Sequence, residues 1–262
     1  MDEEQDRETL ILQVEDLSKQ FGGVMAVNKV SFHVDKSEIL GIIGPNGAGK
    51  TTAINAISGF FRPTTGKIVF NGQDITGLRA DQISKLGMGR NFQASILFRP
   101  LPTVENVFIG CHNCYRISAW ARLFRLPAAR REEETFRQRS ADLLDRMGLG
   151  HLKYEIAGNL PYGYQRVLSI CMALASGPKL LILDEPATGI NESEKQTMLQ
   201  LIRQIRDDGV TIVMIEHNMD VVMTLCDRIV VLNYGRKIAE GRPQEIQSNQ
   251  EVIEAYLGKE LE

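Results

Sequence analysis

Two kinds of apolar spacing take turns along the chain. Residues 10–14 and 30–34 alternate apolar with polar side chains, the period of a half-buried strand. Residues 39–43, 180–183 and 211–215 are short continuous apolar runs. Strands read this way when helices cover both faces of a parallel sheet. Residues 52–58 and 192–208 carry helical spacing, the second with Met198, Leu199, Ile202 and Ile205 as its stripe. Further strands are expected at 67–70 before the turn Asn71-Gly72, at 88–91, and at 228–232. The last is followed by the turn Asn233-Tyr234-Gly235 and a short strand at 237–239. Strands alternating with helices argue for an α/β sheet of mainly parallel order.

One stretch departs from this rhythm. From Val104 to about Ala175 no strand pattern is found, and residues 135–147 are helical with Phe136, Leu143, Leu144 and Met147 on one side. An all-helical insert within the α/β domain is expected. A helix is also expected over 165–175.

Composition narrows the class. Of 262 residues, 43% are hydrophobic and 24% charged, as in ordinary globular domains, which excludes a disordered or fibrous chain. A formal charge of -3 lacks the basic excess of a general nucleic-acid binder. No apolar run approaches the ~20 residues of a membrane helix. The acidic start, Met1 to Glu8, is unlike a secretory signal, so a cytosolic chain is expected. Four cysteines do not make a disulfide framework at this length. Cys111 and Cys114, with His112 between them, lack a second ligand pair for zinc and read as reduced thiols in an apolar helix.

The chemistry concentrates in Gly44-Pro45-Asn46-Gly47-Ala48-Gly49-Lys50-Thr51, which fits G-x-x-x-x-G-K-[ST] between an apolar strand and a helix. Glycines let successive N–H groups turn inward as an anion nest. The following helix start, with Thr52, adds partial positive charge. Lys50 would meet the β/γ-phosphates and the Thr51 hydroxyl would reach Mg²⁺. The run at 180–183 ends in Asp184 and Glu185. Asp184 would hold Mg²⁺ through water, and Glu185 would polarise an attacking water. His217, just past the apolar run 211–215, would face the same phosphates and orient that water.

Taken in this order, the elements resemble the ATP-binding subunit of ATP-binding cassette (ABC) transporters, over about residues 10–257. The resemblance implies a P-loop ABC ATPase fold: a mainly parallel core sheet, an antiparallel β subdomain and the helical insert. It implies one nucleotide-binding domain over 1–262, with core parts 1–93 and 177–262 and the insert at 94–176. Phe21, 29 residues before Lys50, stands where the family stacks adenine. Gln93 stands at the glutamine loop, which senses Mg²⁺ and the γ-phosphate. Leu160-Pro161-Tyr162-Gly163-Tyr164-Gln165-Arg166 occupies the signature, and Ala187-Thr188-Gly189-Ile190-Asn191 the loop that crosses the dimer interface. The common signature is Leu-Ser-Gly-Gly-Gln, so here Pro161 replaces the serine and Tyr164 the glutamine. Pro161 offers neither hydroxyl nor N–H to a facing phosphate. Asn191 stands for the more common aspartate.

Within the family the chain is most similar to the larger ATPase of branched-chain amino acid importers. The grounds are Phe21-Gly22-Gly23-Val24-Met25-Ala26-Val27, Gly189-Ile190-Asn191 and the tail 251–258. The implied cofactors are ATP and Mg²⁺. The implied partners are membrane-spanning permease subunits, a second ABC ATPase and, indirectly, an external solute-binding protein, with the chain peripheral on the cytoplasmic face. A urea or other solute system, an exporter, a soluble ABC ATPase or a nonhydrolytic regulator stays open as an alternative.

A last feature is basic. Between Arg116 and Arg131 lie five arginines and the only tryptophan, Trp120. It reads either as a surface for anionic lipid or a membrane subunit, or as a solvated helix whose Trp120, Leu123 and Phe124 pack on the insert, its charge offset by Glu132, Glu133 and Glu134.

Overall fold

This computed structural model describes residues 10–91, 97–114, 117, 124 and 126–257. Its strands are β1 (Leu10–Phe21), β2 (Val24–Asp35), β3 (Ile39–Ile43), β4 (Thr65–Phe70), β5 (Gln73–Asp74), β6 (Met88–Asn91), β7 (Leu180–Asp184), β8 (Thr211–Ile215), β9 (Arg228–Asn233) and β10 (Arg236–Gly241). Its α-helices are α1 (Lys50–Ile57), α2 (Ala80–Lys85), α3 (Thr103–Gly110), α4 (Pro127–Arg146), α5 (Tyr162–Leu174), α6 (Glu192–Asp207), α7 (Met219–Leu225), α8 (Pro243–Gln247) and α9 (Gln250–Leu257).

Among the described residues the strands form two sheets. One is antiparallel, in the order β2-β1-β4-β5. The other runs β10-β9-β3-β8-β7-β6, parallel except for β10 against β9. The mainly parallel order follows from the continuous apolar runs: β3, β7 and β8 are buried along their whole length.

Alternation within those runs divides the core in two. Ile39, Ile43, Leu181, Leu183, Ile212 and Met214 face one cluster, with Leu168 and Cys171 of α5 and Ile202 of α6. Leu40, Ile42, Leu180, Ile182, Val213 and Ile215 face the other, with α1 and the antiparallel sheet. Each fully buried Leu, Ile or Val contributes about 1.5–3 kcal/mol. The second cluster therefore fastens the antiparallel sheet to the parallel one.

Three boundaries differ from the sequence expectation. β1 and β2 extend well beyond residues 10–14 and 30–34. Register shifts between Val14 and Leu17, with Asp16 at φ 45°, break the alternation while main-chain pairing continues. The helix expected from Gln165 begins at Tyr162, because Pro161, at φ -51°, serves as its N-cap residue. Cys111–Cys114 form a short 3₁₀ turn closing α3 rather than part of an apolar helix. Their thiols are free, and burial pushes both upward in pKa.

The described part of residues 97–176 is helical, apart from one bridge between Pro102 and Ile156. No helix among the described residues is long and apolar enough to cross a membrane. The chain closes with α8 and α9, whose Ile246 and Val252 are buried in the first cluster.

Candidate functional site

The loop from Gly44 to Lys50 leaves the end of β3 and enters α1. Gly44, Gly47 and Gly49 have φ of 148°, 80° and 97°, which directs successive N–H groups to one side. At Gly44 no side chain is possible, since a Cβ would lie 2.0 Å from the Leu232 carbonyl. The Lys50 ammonium donates to the carbonyls of Gly44 (2.7 Å) and Pro45 (3.0 Å), so it lies back over the loop it follows. Asn46, Gly47 and Thr51 are exposed, and Thr52 is half-buried. The first turn of α1 thus presents a hydroxyl and main-chain donors to solvent, a place suited to phosphate oxygens.

The loop is also anchored from outside. Gly235, in the β9–β10 turn, donates to the Ala48 carbonyl (3.0 Å) and accepts from the Asn28 amide (2.7 Å). It joins the phosphate loop to β2 of the other sheet.

Asp184 ends β7 and Glu185 follows in a left-handed conformation, φ 50°. That conformation costs a non-glycine residue about 1–2 kcal/mol. It is held by the Glu185 amide, which donates to the Ile215 carbonyl at 2.9 Å. The turn brings the Glu185 carboxylate to 3.5 Å from Nδ1 of His217 and 3.4 Å from the Thr188 hydroxyl. Asp184 is buried, which raises its carboxyl pKa against the opposing pull of Arg90 and Lys50. Lys50, Asp184, Glu185 and His217 thus share one end of the parallel sheet. Thr51 and Asp184 are hard oxygen donors, as Mg²⁺ takes beside phosphate oxygens. Among the described residues no group of three or more His, Cys, Asp or Glu forms a cage of protein ligands alone.

Arg90 escaped the sequence reading. From β6 its guanidinium donates to Asn55 (2.6 Å) and Ser58 (2.8 Å) on the α1 side and to Asp184 (3.2 Å). A charged residue in a strand that lies beside a fully apolar one was the available signal. Phe61 was missed as well. Its ring meets Phe21 edge-on at 5.3 Å, and the Lys19 ammonium lies 4.9 Å and 5.0 Å from the two ring centres. Phe21 is 48% exposed, leaving much of its ring open.

The signature stands apart from these groups, at the start of α5. A Cβ on Gly163 would lie 2.5 Å from the Glu194 carboxylate, so a larger residue there would push that side chain aside. Tyr162 is stacked by the Arg166 guanidinium at 5.0 Å. Tyr164 meets His151 edge-on at 6.0 Å, and Gln165 donates to the Leu160 carbonyl at 2.7 Å. Asn191 caps α6 by accepting from the Glu194 amide at 2.9 Å. That bond needs an acceptor and no charge, so asparagine serves as well as aspartate.

Gln93 lies outside the described residues, as do Trp120 and Leu123 and the arginines at 116, 122 and 125. Phe124 is 69% exposed.

Comparison with known proteins agrees with this geometry. A family described as ABC transporter matches residues 27–188, and one described as branched-chain amino acid ATP-binding cassette transporter matches residues 236–262. The chain is 41% identical over 250 residues to the high-affinity branched-chain amino acid transport ATP-binding protein BraF of Pseudomonas aeruginosa, covering 95% of this chain and 98% of that protein. It is 40% identical, with the same coverage, to LivG of Escherichia coli, which carries the same description. Among solved structures, a nucleotide-free ATP-binding cassette from an ABC transporter superposes with a TM-score of 0.83 at 32% identity, over 94% of this chain and 98% of that one. The ADP conformation of an ATP-binding cassette gives 0.84 at 32% identity, over 95% and 99%.

Proposed function

Because the chain belongs to the ABC transporter family, we propose that it is the ATP-hydrolysing motor subunit of a membrane importer for branched-chain or related amino acids. One observation carries the reading: the likeness to branched-chain transport ATP-binding proteins runs through 95% of the chain, including its tail. The grouping of Lys50, Asp184, Glu185 and His217 at one sheet end supplies the chemistry.

ATP binds with its phosphates over residues 44–52, the main-chain donors and Lys50 meeting the phosphate oxygens. Its adenine stacks on the open part of Phe21. Thr51, Asp184 and Gln93 would hold Mg²⁺, which would supply charge neutralisation on the phosphates. Glu185 accepts the proton of the attacking water, and His217, fixed beside it, bonds the γ-phosphate and keeps that water in line. Tyr162, Gly163, Tyr164 and Gln165 serve a second ATP across the interface of two ATPase subunits, identical or related. The exposed Phe98, Leu101 and Ile156 lie together, since Ala157 and Gly158 donate to the carbonyls of Leu101 and Arg99. That apolar patch suits docking of a membrane-spanning permease subunit. The chain works at the cytoplasmic face, held there by the permease.

The test is isolation of the tagged chain from membranes in mild detergent. Two multi-span chains and a second cassette subunit should copurify, and deletion should abolish leucine, isoleucine and valine uptake. Recovery without membrane chains, or uptake unchanged by deletion, overturns the proposal.

A further inference from the structure

Glu216 sits between the last residue of β8 and His217, and it is 1% exposed. Its carboxylate divides between two segments. Oε1 accepts from the Ala187 amide at 3.1 Å. Oε2 accepts from the amides of His217 at 3.1 Å and Asn218 at 3.3 Å. Ala187 opens the loop 187–191, and His217 carries the ring beside Glu185. Removing a carboxylate from water is costly. Three charge-assisted bonds offset that cost, and an apolar residue could make none of them.

The division is specific. Neither loop bonds the other through these amides; both bond the same carboxyl group. A shift of residue 187 therefore pulls on one oxygen and moves the other, which holds the main chain of His217. The Oε2 pair also leaves the His217 ring free of main-chain drift, so its Nδ1 keeps its distance from Glu185.

We propose that Glu216 is a positioning residue that ties loop 187–191 to His217, so that the state of this loop sets the placement of the His217 ring. The inference rests on the hydrolytic reading above for its consequence in turnover. A glutamine at 216 keeps size and one acceptor but turns an N–H₂ toward amides that donate. It cannot serve both segments at once.

The experiment uses the full chain with its copurified subunits, as wild type, Glu216→Gln, Glu216→Asp, His217→Ala and the Gln/Ala double variant. Turnover, the Kd of a fluorescent ATP analogue and amide hydrogen exchange are measured on each. Glu216→Gln should lower kcat at least tenfold while the Kd stays within twofold. The double variant should be no slower than His217→Ala alone, because one residue acts through the other. Exchange should rise together at residues 187–188 and 217–218, with β8 unchanged. A kcat within twofold of wild type, losses that multiply in the double variant, or exchange rising in one segment alone overturns the tie. If Glu216→Gln does not fold, Glu216→Asp decides by the same measures, its carboxylate drawn back by one methylene. A wild-type complex without ATPase activity would fail the motor reading, and hydrogen exchange would still judge the tie.

Discussion

The guanidinium of Arg90 and the carboxylate of Asp184 meet at 3.2 Å, with side chains only 8% and 7% exposed. β6 and β7 are parallel neighbours: Arg90 stands opposite Ile182, so Asp184, two residues on, shares its face of the sheet and is reached diagonally. Burial disfavours charge on both partners, lowering the arginine and raising the aspartate in pKa. Arg90 also reaches Asn55 and Ser58, so one side chain connects the strand of Asp184 to the helix that begins at Lys50.

Arg90→Ala leaves the buried carboxylate without its cation. Breaking such a pair on one side costs about 3–5 kcal/mol. Urea unfolding should show a loss of that size. Arg90→Lys should recover only part of it, since an ammonium cannot reach three acceptors in the same fork.

Glu185→Gln should lower ATP turnover by about 10²-fold or more, the range of a lost general base. Binding of ATP should persist, because the phosphate loop is untouched. Single-turnover hydrolysis and equilibrium binding separate the two effects. Turnover at the wild-type rate would remove Glu185 from the chemistry.

Phe21→Ala should weaken ATP binding by about 1–3 kcal/mol, the worth of one base on an aromatic ring. GTP should lose as much as ATP, because any purine offers a π-face. Titration of both nucleotides against the variant checks this. Phe61→Ala, which removes the edge-on neighbour at 5.3 Å, should act in the same direction but more weakly.

Tyr164→Gln restores the common signature residue at a position that is 41% exposed and whose ring meets His151 edge-on. ATPase activity or ATP-driven association of cassette subunits should rise. If neither changes, Tyr164 does not limit the signature.

Burial raises the Glu216 carboxyl above its usual range, against the pull of three amides and His217. The folded chain then holds this proton more tightly than the unfolded chain. Stability from this group is highest in acid and falls as pH rises from about 4.3 through the raised value. Thermal unfolding of wild type and Glu216→Gln from pH 4 to 8 should show the wild type losing ground as pH rises. A constant difference would mean that the carboxyl does not titrate in that range.

The glycine loop between β3 and α1 and the acidic end of β7 were legible because motifs of this kind have fixed residue types at short spacing. The central strands were legible because burial on both faces leaves unbroken apolar runs. β1 was read short because the bulge near Asp16 breaks its alternation without ending its hydrogen bonds. The start of α5 was read late because Tyr162 and Gly163 follow a proline, and cap geometry lies in the fold rather than in the pattern. Arg90, Phe61 and Glu216 stayed hidden because their partners are distant along the chain: Asp184 is 94 residues from Arg90, and Ala187 is 29 from Glu216. Only the strand order brings them together.

Gly235 occupies the seam where the two sheets cross, bonded on one side to Ala48 and on the other to Asn28. A rivet in that place makes the phosphate loop a strain gauge. Any shear between the two plates is passed through Gly235 to the main chain at Ala48. Conversely, a nucleotide seated there should stiffen the whole joint. Rigidity of the cradle is thus a property of how two sheets are bolted together, and mutations far from any phosphate, along the β9–β10 turn, can retune it.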